Sequence, residues 1–96
     1  MFAHWGTFNK NQGVQQCLML AEQAMDGRGY QVWDIQNDGD YMVIGGNNDV
    51  IVNVTGVPQQ PGHSWVAVSA YSSDSSIAEL ARNGVREYIV SHVIID

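Results

Sequence analysis

The sequence predicts an α+β fold. It reads as a two-layer sandwich in the order β-α-β-β-β-β-α, with two helices packed on one face of a mainly antiparallel sheet. Three observations point there. Four apolar, β-rich runs follow one another between Tyr30 and Tyr71, separated by turn signals. An amphipathic helical pattern stands on each side of them. The connections between the runs are short, which pairs sequential strands antiparallel.

The opening run, Phe2 to Phe8, reads as a strand with Gly6 as a bulge. Asn9-Lys10-Asn11 reads as a loop, with Asn9 or Asn11 placed to cap the first helix. That helix is predicted over Gln12 to Asp26. Val14, Cys17, Leu18, Ala21, Ala24 and Met25 repeat at the three- and four-residue spacing of one buried face. Gly27-Arg28-Gly29 ends it, with a glycine ready for the left-handed cap position.

The second strand is predicted over Tyr30 to Gln36. Asn37-Asp38-Gly39-Asp40 signals a hairpin, since Asp-Gly suits the positive-φ positions of a tight turn. Tyr41 to Ile44 is the third strand, and Gly45 to Asp49 the next turn. Val50 to Val57 is the fourth strand and the most β-prone segment. Pro58 to His63 reads as a longer loop, its two prolines excluding regular pairing. Ser64 to Tyr71 is the fifth strand.

Ser72 to Ser75 leads into the second helix, where Ser76 and Glu79 have capping-box spacing. Ile77, Leu80, Ala81, Val85, Tyr88, Ile89 and Val93 mark its buried stripe. Gly84 lies on that stripe, as close approach to the sheet would require. Val93 to Asp96 reads as an apolar tail packed on the body.

Ninety-six residues form a single α+β domain spanning 1–96, with a composition 45% hydrophobic and so rich enough for one core. Ten acidic and four basic residues give a net charge of −6. Lys10, Arg28, Arg82 and Arg86 are too few and too scattered for a phosphate-binding surface, which argues against nucleic acid and against an anionic membrane. A single cysteine, Cys17, excludes an internal disulfide. Met1 to His4 lacks the charged and apolar regions of a signal peptide, and no apolar run approaches a membrane span. A soluble, cytoplasmic protein is the expectation.

Period-two alternation assigns the faces. Val66, Val68 and Ala70, with Val50, Val52 and Val54, form the uniformly apolar sets that belong under the helices. The opposite sets hold Trp65, Ala67, Ser69 and Tyr71, with Ile51, Asn53, Thr55 and Val57. Trp33 and Ile35 fit either side, as do Trp5 and the pair Phe2 and Phe8. An outer face carrying Trp65, Tyr71, Ile51, Asn53, Thr55 and Trp33 has the composition of an interface or shallow ligand site. The bland alternatives are scattered exposed apolar residues or cover by the tail.

The chemical candidates are thin. Asp34 to Asp40 resembles the start of a calcium loop, but Gly45 stands where the bidentate Glu belongs, and the segment lies between strands. No metal site or cofactor is expected. His63, beside Trp65, is the one histidine placed to act as an acid or base at the edge of the open face. Cys17 sits on a buried stripe and reads as an inert thiol. No nucleophile elbow, phosphate loop or dinucleotide fingerprint occurs.

The plan resembles the small α+β sandwiches of ferredoxin-like size common among bacterial proteins. That likeness is one of architecture and carries no functional residue. Three functional readings follow. The first is a non-catalytic module whose open face binds a second copy in a homodimer, another protein, or a small apolar ligand. The second is a small enzyme without metal or cofactor, with a pocket formed by Pro58 to His63, Trp65 and a turn aspartate. The third is an acidic inhibitor- or immunity-type protein that neutralises a basic partner.

Overall fold

The computed structural model describes residues 1–38 and 40–95, and the side chains of all of these except 37, 38 and 40. The elements follow the expected order: β1 (Phe2–Lys10), α1 (Val14–Gly27), β2 (Gln31–Asp38), β3 (Asp40–Gly46), β4 (Ile51–Gln60), β5 (His63–Ser72) and α2 (Ser75–Ser91). The sheet is antiparallel throughout, in the order β1-β5-β4-β3-β2. Strands β2 to β5 form a meander, and β1 adds beside β5. Both helices lie on one face. α1 packs across β2, β3 and β4, α2 across β1 and β5, and the two helices touch along the middle. No helix among the described residues is long and apolar enough to cross a membrane.

The predicted faces are the observed ones. Val66, Val68, Ala70, Val50, Val52 and Val54 are all at most 3% exposed. They meet Leu18, Leu20, Ala21 and Met25 of α1 and Ala81, Val85 and Ile89 of α2 in one core. Phe8, opposite Val66, packs against this core, which places Trp5 on the other side.

The second strand resolves differently. Val32 pairs with Gly45 and Asp34 with Ile44, so Trp33 is the extra residue of a bulge. The bulge turns Trp33 to the open side and returns Ile35 to the helix side, opposite Val43. Gly6, by contrast, pairs regularly with Val68. Its missing side chain makes room for Arg82, whose Nη1 would lie 3.1 Å from a Cβ there.

The proline loop is not a loop. Pro58 pairs with Ser64, and β4 runs to Gln60 opposite His63, leaving a tight turn at Pro61-Gly62 with Gly62 at φ +77. The reason is local topology. Pairing of β3 with β4 ends at Met42 and Thr55, so β4 has only one neighbour beyond that point. A proline there leaves no gap in a second ladder. The turn at Gly39 lies outside the described residues. The Gly45–Asp49 turn starts later than expected, because Gly45 and Gly46 belong to β3. Asn47 Oδ1 closes it by accepting from Asp49 and Val50 backbone N–H groups at 2.8 and 3.0 Å.

Helix ends also shift. β1 continues through Lys10, and the N-cap of α1 is Gly13, with no side-chain bond; neither Asn9 nor Asn11 caps it. The C-terminus is as read: Gly29 takes φ +76, with Gly29 N–H bonded to Asp26 O and Tyr30 N–H to Met25 O, the paired bonds of a Schellman cap. The N-cap of α2 is Asp74 rather than a Ser76–Glu79 box. Its carboxylate accepts from Ser76 N–H at 2.8 Å and Ile77 N–H at 3.3 Å. The buried stripe of α2 is Ala78, Ala81, Val85 and Ile89. Leu80 points outward at 62% exposed, and Val93 lies beyond the helix in the solvent. Gly84 faces not the sheet but Arg28, whose guanidinium fills the space a Cβ would take.

The described tail turns back over the helix layer. Gln12 holds Ile94 by both backbone groups, donating to its carbonyl at 3.0 Å and accepting from its N–H at 3.1 Å. Ile94 packs on the core, while Val93 and Ile95 are exposed and Asp96 lies outside the described residues. Lys10 Nζ donates to Val90 and His92 carbonyls at 3.1 and 2.6 Å, placing its charge at the negative end of α2.

Candidate functional site: the uncovered sheet face

Register builds the open face row by row. One row crosses all five strands: Trp5, Ser69, Asn53, Ile44 and Asp34. A second row holds Ala3, Tyr71, Ile51 and Gly46, and a third holds Thr7, Ala67, Thr55, Met42 and Gln36. Beyond these stand Asn9, Trp65 and Val57. All three tryptophans of the chain therefore lie on the side away from the helices.

The six residues singled out in the sequence share this face but not one spot. Trp33, Ile51 and Tyr71 converge at one end, around a groove of about 290 Å³ rimmed by Met1, Asn47 and Asp49. Gly46 permits this: it holds φ +152, and the Trp33 ring comes within 3.1 Å of where its Cβ would be. Asn53 and Thr55 occupy the centre. Asn53 Nδ2 donates to Met42 Sδ at 2.9 Å, and Thr55 Oγ1 donates to Asn53 Oδ1 at 2.8 Å. Trp65 stands at the far end beside Val57, six residues along β5 from Tyr71, which is about 20 Å at the rise of a strand. Trp5, ambiguous in the sequence, is the most exposed of the three at 70%. A second groove, about 310 Å³, opens where the β2–β3 hairpin parts from β4, lined by Gln36, Met42, Thr55, Val57 and Pro58.

Positive charge is segregated from this surface. Arg82 donates to the Trp5 carbonyl at 2.8 Å from α2, and Arg86 lies over the Phe8 ring at 5.3 Å. Arg28 lies over Tyr30, and Lys10 is held at the end of α2. All four Lys and Arg side chains are thus engaged on the helix side. Of the acids whose side chains are described, Asp34 stands on the open face at its β2 edge, where its carboxylate accepts from Gln36 at 3.2 Å, and Asp49 rims the groove at one end.

The chemical candidates fall elsewhere. His63 Nδ1 donates to the Asn11 amide oxygen at 3.0 Å, a neutral partner, and it sits on β5 in a hairpin rather than in a loop. The Asp49 turn lies at the opposite end of the sheet, and the side chains of Asp38 and Asp40, which flank the other turn, lie outside those described. Asp34 lies on β2, at whose end Asp38 pairs with Asp40 of β3, so these positions are strung along an extended hairpin rather than wrapped around one point as a calcium loop requires. Among the described residues no three metal-ligating side chains gather. Cys17 is fully buried, and burial pushes its thiol pKa up, only partly offset by a bond from Ser64 and the charge of Lys10.

One constellation was not visible in the sequence. His4 Nε2 is in hydrogen-bond contact with Ser75 Oγ at 2.9 Å, and its Nδ1 is 3.9 Å from Glu79. Serine, histidine and carboxylate are in the order of a hydrolytic relay. The surroundings oppose that chemistry. The helix N–H groups that would hold an oxyanion already bond to Asp74, and its carboxylate repels the charge that would develop.

No family model matches this sequence, and no curated protein matches it.

Proposed function

We propose that this protein is a non-catalytic interaction module whose working surface is the uncovered face of its sheet. One observation carries the reading: Trp5, Trp33 and Trp65 come from three different strands and all lie on the face that contributes nothing to the core. A sheet that needed only to fold would keep that face polar, as antiparallel sheets with one solvated side do. Here it carries Trp, Tyr, Ile, Val and Met, with Ser, Asn and Thr between them. That is the composition of an interface centre, rich in aromatic residues and Met and poor in charge.

A neutral apolar dye, Nile red, tests this at high dilution of the protein. Dye emission is expected to rise on binding to the wild type and to be lost in Asn53→Arg, which sets a charge in the centre of the face. The far-UV circular dichroism spectrum is expected to be unchanged and the free energy of urea unfolding to stay within about 0.5 kcal/mol of wild type, since the site makes no core contact. Dye binding that ignores Asn53→Arg would place the accessible apolar surface elsewhere and end this reading.

A further inference from the structure

Resting on the reading of the open face as the working surface, we infer that its partner is a second copy of this chain, packed sheet against sheet. Charge is the first argument. Each chain carries −6, and two such chains repel wherever their charged surfaces meet. On this molecule the acids with described side chains lie on the helices and their flanking turns, apart from Asp34 at the β2 edge and Asp49 at the groove rim, and the register carries Asp38 and Asp40 to the end of the β2–β3 hairpin. The central row, from Trp5 through Ser69, Asn53 and Ile44, is uncharged. It is the one broad surface that two acidic copies can bring together without opposing like charges at its centre. At that centre a cationic partner would find no counter-charge, and an anionic one no cation.

Area is the second argument. Five strands about 4.8 Å apart, with about nine residues rising 3.3 Å each, give a face near 700 Å² before side-chain relief is counted. Stable interfaces bury about 800 Å² on each partner. The Cα extents, 38 × 23 × 21 Å, accommodate that footprint on the broad side. Two such faces stacked about 10 Å apart form a β-sandwich core, an arrangement the aromatic and branched side chains of this face can fill.

The chain itself offers no competing cover among the described residues. The tail is held on the opposite side by Gln12 and Lys10. The β1 edge is blunted by Arg82, which takes up the Trp5 carbonyl, so association through that edge is disfavoured relative to the face.

Light scattering across a wide concentration range tests the inference on the full chain. The wild type is expected to show the mass of two chains when concentrated and of one chain on dilution. Asn53→Arg would bury an unpaired charge on each side of the seam, so its dissociation constant is expected to rise by about 100-fold or more. Trp5→Ser, at the rim of the same row, gives a second variant with no core contact, and a measurable weakening is expected there too. A single-chain mass for the wild type at every concentration overturns the inference, and so do dimers that persist unchanged in both variants. If the mass is that of one chain while Nile red still binds in an Asn53-dependent way, the interaction reading stands and only the second copy falls as its partner. If the dye ignores Asn53→Arg, the reading itself has failed.

Discussion

Leu20→Ala is expected to lower the free energy of unfolding by about 2–5 kcal/mol, while Leu80→Ala changes it by no more than about 0.5 kcal/mol. Both leucines lie on amphipathic helices, but the sequence pattern places Leu80 on a buried stripe and leaves Leu20 off one. The structure separates them. Leu20 is fully buried among the side chains of α1, α2 and the sheet, whereas Leu80 is 62% exposed. Truncating Leu20 removes apolar burial and leaves a cavity that a close-packed interior only partly refills. For a domain of this size a loss of 2 kcal/mol lowers Tm by at least about 8 °C. Urea unfolding of the two variants side by side checks the pair. Equal losses would mean that α2 is rotated from the orientation described.

Gly46→Ala is the second large effect. Gly46 ends β3 at φ +152, where an L side chain is strained, and an added Cβ would collide with the Val50 carbonyl across the β3–β4 turn. Strain alone costs about 1–3 kcal/mol, and relieving the collision means opening the turn that Asn47 closes. The same Cβ would push against the Trp33 ring, which lies within 3.1 Å of that position. The expected result is a destabilised protein whose tryptophan emission is altered even under native conditions. Gly27→Ala is the control: nothing lies within 4 Å of a Cβ there, and the position is helical, so the change is expected to be neutral or slightly stabilising. Parity between the two variants in thermal unfolding would contradict the placement of Gly46.

Much of this architecture is written in periodicity. The alternation in β4 and β5 assigns Val52, Val54, Val66, Val68 and Ala70 to the core, because a strand that meets water on one side cannot disguise its period. The Gly27-Arg28-Gly29 stop is legible because positive φ is a local demand. What escapes the sequence depends on neighbours distant in the chain. Pro58 reads as a loop until it is known that the pairing of β3 with β4 stops at Met42 and Thr55. The bulge at Trp33 is a mismatch of two strands and leaves no mark in either alone. Asp74 outcompetes the Ser76–Glu79 spacing because its carboxylate reaches two N–H groups at once.

The candidate face shows the same division. Trp65, Tyr71, Ile51, Asn53 and Thr55 follow from alternation alone. Trp5 does not, since its strand is apolar on both sides; only its register opposite Ser69 assigns it. The contact of His4 with Ser75 joins residues 71 positions apart and has no sequence signature.

The central claim is that the tryptophan-bearing face is open in the single chain and is closed by association. Acrylamide quenching of tryptophan emission, followed from high dilution to high concentration, tests it most directly, because every tryptophan in the chain reports on that face. Strong quenching and long-wavelength emission are expected in dilute solution, with protection and a shift to shorter wavelength as the chains pair. Short-wavelength, quencher-resistant emission already present at the highest dilution would mean that the tryptophans are buried within one chain, and would contradict the account.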